Sequence, residues 1–380
     1  MNRERFPGLA ATSWARLDGP AGTQMVDTAI EAMDAWMRSG RGANHGGAFA
    51  AAHATDELVD SARASAGALL GAPPGEIVFG FSMTALTMAF AGAVGRTLGP
   101  GDEVVCTRLD HDANVRPWVI HAERAGATVR FAEPNLETLE LPASAVEAVL
   151  SERTRWVAVT HASNAVGTIP DLAGIVSAAH DAGARVYVDA VHAAPHRRLD
   201  VRALGCDALA CSAYKWFGPH IGVQWARPDL LAELHPDKLL PSPDTPPDRW
   251  ENGTLPFEAL AGVAAAADYT RGMDWDAVRA HEDALLAAAL DGLDATPGVT
   301  VYGRARDRTS TLMFNVEGRS SAETAAALAG HEVAVWDGNY YAWELERLLG
   351  LDPHGAVRAG FVHYNDQDDV DRLLTAVRAL

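Results

Sequence analysis

The sequence predicts an α/β fold: a large domain on a mostly parallel seven-stranded sheet, then a smaller C-terminal α+β domain. Three observations carry this expectation. Seven short β-like runs recur between residues 76 and 226, and amphipathic or Ala-rich segments of helical length separate the early ones. Beyond about residue 298 the pattern changes to strand-like runs mixed with helices. Strands alternating with helices of this length argue for βαβ units and a parallel sheet covered on both faces.

In order, the runs are EIVFG (76–80), DEVVCTR (102–108), TVRFAE (128–133), RWVAVTH (155–161), RVYVDAV (185–191), DALACS (207–212) and IGVQWA (221–226). Segments 83–96, 114–125, 142–151 and 171–182 read as crossover helices. GPGD (99–102), ERAGA (123–127) and HDAGAR (180–185) supply turn signals between them. The last two runs are joined only by AYKWFGPH (213–220), too short for a crossover helix, so that pair is expected to be antiparallel. PDKLLPSPDTPPDRW (236–250) reads as an extended surface excursion. Helices near 256–272 and 274–294 lead to the last third. There TSTLMFNVE, HEVAVWDG and AVRAGFVHY mix with helices at 320–330, 341–349 and 366–379. The expected division is 1–257 and 258–380, with the N-terminal segment packed across the small domain or a partner subunit.

Composition narrows the function. Asp and Glu outnumber Lys and Arg 50 to 31, a formal charge of −19. A nucleic-acid binder needs a basic patch, and an anionic membrane would repel this surface, so neither partner is expected. The start, MNRERFPGLAATSWARL, lacks a sustained apolar run, and a cytoplasmic location is expected. Cys106, Cys206 and Cys211 all lie in or beside apolar strands without zinc-site spacing, so they read as buried inert thiols and no metal is expected.

In open parallel sheets, ligands bind outside the carboxyl ends of the strands. The polar residues there form an unusual set. Lys215 follows an apolar strand and precedes Trp216 and Phe217. Apolar surroundings disfavour an ammonium and free the amine to condense with an aldehyde. Asp189 ends VYVD, and a carboxylate at the end of an apolar strand needs a partner. The protonated pyridine nitrogen of pyridoxal phosphate is one, an Arg or a helix cap another. Ser82-Met83-Thr84 opens a helix after the first run, a place for a phosphate or for an ordinary N-cap. His111, in LDHDAN, is placed to stack on a ring or move a proton, or is simply a loop histidine.

Together these residues resemble the cysteine desulfurase branch of the class V aminotransferase superfamily, pyridoxal-phosphate enzymes of fold type I. The resemblance is carried by LDGPAGTQ (17–24), EIVFGFSMTA (76–85), DHDANVRPW (110–118), HASNAVGTIPD (161–171), VYVDAVHAAPH (186–196), CSAYKWFGPHIG (211–222), RWENGT (249–254) and VRAGFVHYND (357–366), in that order. It implies the PLP-dependent transferase fold and an internal aldimine on Lys215. It implies that Asp189 pairs with the pyridine nitrogen, that His111 stacks on the ring, and that Asn164 and His192 lie near the phenolic oxygen. Ser82, Met83, Thr84 and Ser212 would hold the phosphate, with Tyr214 nearby. Thr254 would reach the phosphate of a neighbouring subunit, which implies a homodimer. Arg358 would clamp the carboxylate of an amino-acid substrate, and Arg41, Asn44 and His45 resemble a loop on the substrate side.

The chain departs from the desulfurase pattern in four places. His192 stands where Gln is usual, Tyr214 where His is usual, and Met83-Thr84 where Thr-Thr is usual. WDGNYYAWE (336–344) falls where desulfurases carry a mobile Cys, with Tyr341 at or near its position. Asn339 and Tyr341 are expected to face the substrate; Asp337-Gly338-Asn339 reads as a turn, and the aromatics Trp336, Tyr340, Tyr341 and Trp343 read equally as pocket lining or as core. No cysteine follows Cys211, and a phenol cannot take up sulfane sulfur as a thiolate does. The expected activity is C–S β-elimination from an L-amino acid. The alternatives are epimerisation or transamination on the same framework, or a non-catalytic binding role.

Overall fold

The computed structural model describes residues 3–380. The large sheet consists of β1 (Ile77–Gly80), β2 (Glu103–Thr107), β3 (Thr128–Ala132), β4 (Thr154–Thr160), β5 (Arg185–Asp189), β6 (Ala208–Ser212) and β7 (Gly222–Ala226). Its order is β1-β7-β6-β5-β4-β2-β3. Only β7 runs antiparallel, to both neighbours; the pairs from β6 to β3 are parallel. The antiparallel pair expected across residues 213–220 is therefore present. The mostly parallel seven-stranded sheet and the smaller C-terminal domain are as the sequence predicted.

Burial explains the strand sequences. β2, β6 and β7 are buried at every residue. Helices cover both faces, so these strands read as continuous apolar runs. On β5, Val186 and Val188 join one core with Leu209 and Val159, while Tyr187 joins the opposite core with Phe90, Trp118 and Trp156. The edge strand β3 alternates exposed and partly buried positions, as an edge should. Helix starts are capped by side chains: Asp171 accepts from the Gly174 N–H, Asp274 from Ala277, and Ser320 with Glu323 forms a capping box.

The C-terminal sheet has β8 (Val299–Tyr302), β9 (Thr311–Val316), β10 (Trp336–Gly338) and β11 (Ala356–Gly360), ordered β10-β11-β9-β8 and antiparallel throughout. Its core gathers Leu285, Leu312, Phe314, Val357 and Phe361. The N-terminal segment lies across this domain: Ala15 and Arg16 pair with Val333 and Ala334, and the Arg3 Nη1 donates to Asp369 Oδ2 at 2.8 Å.

Three elements were not anticipated. Helices Asp27–Arg38 and Ala50–Leu70 pack against helix Phe257–Arg271. β8 is a four-residue strand between Pro297-Gly298 and Gly303. The packing favours a domain seam at residues 272–274 over one at 257/258. Helix Phe257–Arg271 belongs to the core of the large domain, whereas helix Trp275–Asp294 packs on the small one. Among the described residues no helix is long and apolar enough to cross a membrane.

β1 is held at the sheet edge by Arg63, from helix Ala50–Leu70. Its guanidinium makes a two-pronged contact with Glu251, at 2.8 and 2.7 Å, and donates to the Ile77 carbonyl. Glu251 Oε1 also accepts from the Phe79 N–H. β7 in turn approaches the turn after β1 closely: a Cβ on Gly222 would sit 2.3 Å from the Ser82 carbonyl carbon. Gly222→Ala must push that backbone away and is expected to destabilise the protein by about 1–3 kcal/mol. The measurement is a fall in urea midpoint at unchanged slope; an unchanged midpoint would contradict the close approach.

Candidate functional site

A cavity of about 720 Å³ opens at the carboxyl ends of the large sheet, with small-domain residues as its roof. The parallel topology places successive loops around it. Ser82, Met83 and Thr84 follow β1, His111 follows β2, Asn164 follows β4, Asp189 ends β5, and Ser212, Tyr214 and Lys215 end or follow β6. Arg358 enters from the middle of β11, and Asn339, Tyr340 and Tyr341 from the turn after β10.

Burial sets the electrostatics. Lys215 is buried, its Nζ donating to the Pro20 carbonyl. Burial and the nearby Arg358 cation lower its pKa to about 7, against the opposing pull of Asp189. Burial likewise raises Asp189 to about 6, although its Oδ1 accepts from the Val191 N–H at 2.9 Å. Arg358 is buried, and no carboxylate pairs with it among the described residues. It donates from Nη1 to the Asn164 carbonyl at 2.8 Å and lies over the Tyr340 ring at 4.4 Å. Its Nε and the Asn164 Oδ1 are enclosed without a partner. Burial lowers even this guanidinium to about 10.

His111 is held neutral: burial, helped by Lys215 and Arg358, lowers its pKa to about 3. Its Nδ1 accepts from the Ala113 N–H at 3.0 Å, and its ring stacks on Tyr341 with centroids 5.3 Å apart. At the far end, Ser82 caps helix Met83–Gly95 by accepting from the Ala85 N–H, and the Met83 N–H donates to Ser212 Oγ at 3.2 Å. A helix start with flanking hydroxyls is an anion site. Tyr214 stacks on His220, its centroid 4.9 Å away, and the Lys215 Nζ lies 5.2 Å from its own centroid.

The cavity thus brings together most of the residues expected from sequence, but not His45, Thr254, Arg41 or Asn44. His45 is exposed and lies near Phe257, and Thr254 is exposed on the segment before helix Phe257–Arg271; neither lines this chain's cavity. Arg41 and Asn44 are exposed beside His45. Asp337 and Gly338 belong to β10, and the turn falls at Tyr340 and Tyr341 instead. Of the aromatics, Trp336, Tyr340 and Tyr341 face the cavity, whereas Trp343 lies under Arg347.

Sequence reasoning missed Pro20, Asp110, Thr309 and Thr311. The Pro20 carbonyl carries no side-chain signal. Asp110 sits behind His111, hydrogen-bonded to Thr107 and Asn114 and raised by burial to about 8; the DHDAN string held that clue. His192 Nε2 meets Thr311 Oγ1 at 2.9 Å and Thr309 Oγ1 at 3.2 Å, both from the small domain. Only the order Thr309-Ser310-Thr311, with alternate residues on one face, hinted at that pair.

The donor set fits pyridoxal phosphate. Lys215 offers an amine of depressed basicity, Asp189 a buried carboxylate, the 82–84 turn and Ser212 a phosphate cradle, and Arg358 an unpaired cation for a carboxylate. Among the described residues, no group of three or more His, Cys, Asp or Glu has the geometry of a metal site.

Comparison with known proteins agrees. The family model for class V aminotransferases matches residues 15–373. A cysteine desulfurase of Dickeya dadantii is 32% identical over 96% of this chain and 92% of its own. An aminotransferase-like protein of Gibberella zeae is 33% identical over 84% and 82%. The crystal structure of the Escherichia coli cysteine desulfurase CsdA superposes with a TM-score of 0.88 at 29% identity, covering 99% of this chain and 96% of that one.

The depressed basicity of Lys215 has a measurable sign. Below pH 7 the ammonium dominates and cannot attack an aldehyde; above it the free amine dominates. Uptake of pyridoxal phosphate by the apoprotein, followed by the rate at which bound-cofactor absorbance appears, is expected to rise with pH through a midpoint near 7 and level off above about 8. Arg358→Met removes a cation that disfavours the ammonium and should move that midpoint to higher pH. A rate still climbing well above pH 8 in the unaltered protein would contradict the assignment.

Proposed function

The chain belongs to the class V aminotransferase family and is a PLP-dependent, cysteine desulfurase-like enzyme of it; from that premise we propose that it is a C–S β-elimination lyase acting on an L-amino acid. The observation that carries this reading is a cavity with a free amine and a carboxylate clamp but no thiol. Cys106 lies inside β2, Cys211 inside β6 and Cys206 just before β6, all buried. Burial pushes the thiols of Cys206 and Cys211 up to about 12 and raises that of Cys106 well above its ordinary value. None lines the cavity.

When bound, pyridoxal phosphate supplies an aldehyde for the substrate amine and an electron-accepting ring that stabilises charge developing at Cα. Arg358 binds the substrate carboxylate through two parallel N–H groups and orients the Cα–H bond toward Lys215. The Lys215 amine, neutral for about half its population at pH 7, accepts the Cα proton at Nζ. Asp189 would hold the pyridine nitrogen in its protonated form, and neutral His111 would pack against the ring. With no thiolate to receive sulfur, the Cβ–S bond breaks with its electron pair leaving on sulfur as a thiol or thiolate. The three-carbon remainder is released as aminoacrylate, which water converts to pyruvate and ammonia. Thr254, exposed on one protomer, would complete the phosphate site of a neighbouring subunit in a homodimer.

Transamination is the second reading, favoured by the 33% identity of the aminotransferase-like relative over 84% of this chain. Epimerisation is weaker: burial lowers the pKa of His111 to about 3, so Tyr341, stacked on it, would have to carry the proton on the opposite face of Cα. Incubation with cysteine and its S-substituted derivatives separates them. Elimination gives pyruvate and ammonia in equal amounts; a keto acid keeping its Cβ substituent, or an intact amino acid with exchanged α-hydrogen, would overturn it. Lys215→Ala is expected to lower kcat by about a thousandfold or more. Arg358→Lys should raise KM roughly 10- to 100-fold, because one point charge replaces a planar fork.

A further inference from the structure

His192 is a buried imidazole whose two nitrogens face different surroundings. Nε2 points to the small domain, 2.9 Å from Thr311 Oγ1 and 3.2 Å from Thr309 Oγ1. Nδ1 makes no hydrogen bond to protein, yet it is not among the fully enclosed polar atoms; the residue lines the cavity. In this neutral ring, one nitrogen donates and the other accepts. Burial, with His196, Lys215 and Arg358 nearby, holds the ring neutral.

The hydroxyls decide which nitrogen carries the proton. Thr309 and Thr311 are completely buried, and neither hydroxyl has another hydrogen-bond partner among the described residues. The lone pair of Nε2 is therefore the acceptor for their protons. If Nε2 carried the hydrogen, both hydroxyl protons would be buried without an acceptor, and a single unmade buried bond shifts an equilibrium roughly tenfold. With the hydrogen on Nδ1, Thr311 donates to Nε2 and Thr309 shares the same lone pair.

The threonines are held independently of His192. The Thr309 N–H donates to the Gly167 carbonyl at 2.8 Å. Arg308 Nη2 donates to the carbonyls of Thr311 and Val166, at 2.7 and 2.9 Å. Between them, Ser310 turns the other way and donates to the Phe361 carbonyl. Two hydroxyls on one face of a paired segment form a fixed fork.

We propose that Thr311 and Thr309 are positioning residues that lock His192 in the Nδ1–H tautomer, so that the small domain presets a neutral hydrogen-bond donor toward an oxygen of the bound cofactor. The glutamine usual here in desulfurases has a permanent N–H donor, whereas a histidine must have its tautomer chosen; the threonine fork makes the choice. The inference rests on the family's cofactor and holds for elimination, epimerisation or transamination alike.

The test is nitrogen NMR of the full chain labelled with ¹⁵N-histidine, first without cofactor and then loaded, with the His192 signals assigned by their loss in His192→Gln. In the cofactor-free protein the protonated nitrogen is expected at Nδ1, in excess of roughly tenfold. The double variant Thr309→Val, Thr311→Val keeps shape and burial but removes both hydroxyls. It should lose that preference, shift the visible absorbance of the loaded cofactor and weaken its affinity. Thr311→Ser combined with Thr309→Val, which keeps one hydroxyl, should restore the tautomer and the absorbance. A cooperative melt for each variant guards against simple misfolding. Protonation at Nε2 in the unaltered protein, or an unchanged Nδ1–H preference in the double valine variant, would overturn the proposal whatever the enzyme's reaction.

Discussion

Charge held out of water without a charged partner is the constraint on which the site depends. Lys215, Asp189 and Arg358 are all buried, and none closes an ion pair with another side chain among the described residues. Left alone, each would be costly. The dry walls, with the Arg358 cation helping at Lys215, bring Lys215 to about 7 and Asp189 to about 6, against the attraction between the two. The cost is carried by rigid backbone. Arg358 is fixed in a strand paired on both sides, and its guanidinium is seated by a carbonyl and an aromatic face.

That seating is also the seam between the domains. Arg358 reaches the Asn164 carbonyl, Asn164 Nδ2 reaches back to the Tyr340 carbonyl at 2.9 Å, and Arg308 bridges Val166 and Thr311. The loop after β4 therefore meets the small domain at backbone carbonyls. The roof is tense where it touches the cavity: Tyr340 and Tyr341 adopt φ of 47° and 61°, which bulky residues rarely occupy. Tyr341 is 69% exposed yet stacked on His111, so this turn presents aromatic surface to whatever enters.

Much of this was legible in the sequence because the strand ends of a parallel sheet form a natural index. Lys215, Asp189, His111 and Ser82 each follow an apolar run, and topology alone brings such positions to one edge. The antiparallel β7 was legible from loop length. What escaped had no local pattern. Helices Asp27–Arg38 and Ala50–Leu70 precede the alternating region and are tied to it only through helix Phe257–Arg271. β8 is too short to show a period. The Thr309–Thr311 fork acquires meaning only against His192, 117 residues away for the nearer contact in sequence, and no periodicity encodes a cross-domain hydrogen bond. His45 and Thr254 were read from resemblance alone, and the single chain leaves both on its surface.

The position of β7 also orders events in time. β1 has no sheet neighbour except β7, and the Met83 N–H waits for a hydroxyl on Ser212, 129 residues later. A chain emerging from the ribosome must therefore carry β1 as an unpaired edge until residue 226 has been made, while β2 to β5 already have one another as partners. Long-range pairing of this kind closes late, because loop entropy is lost before any contact is gained. The proposed phosphate cradle is thus among the last parts of the large domain to exist, and in a nascent chain the 82–84 turn meets Ser212 only after the strand following Lys215 has threaded between β1 and β6.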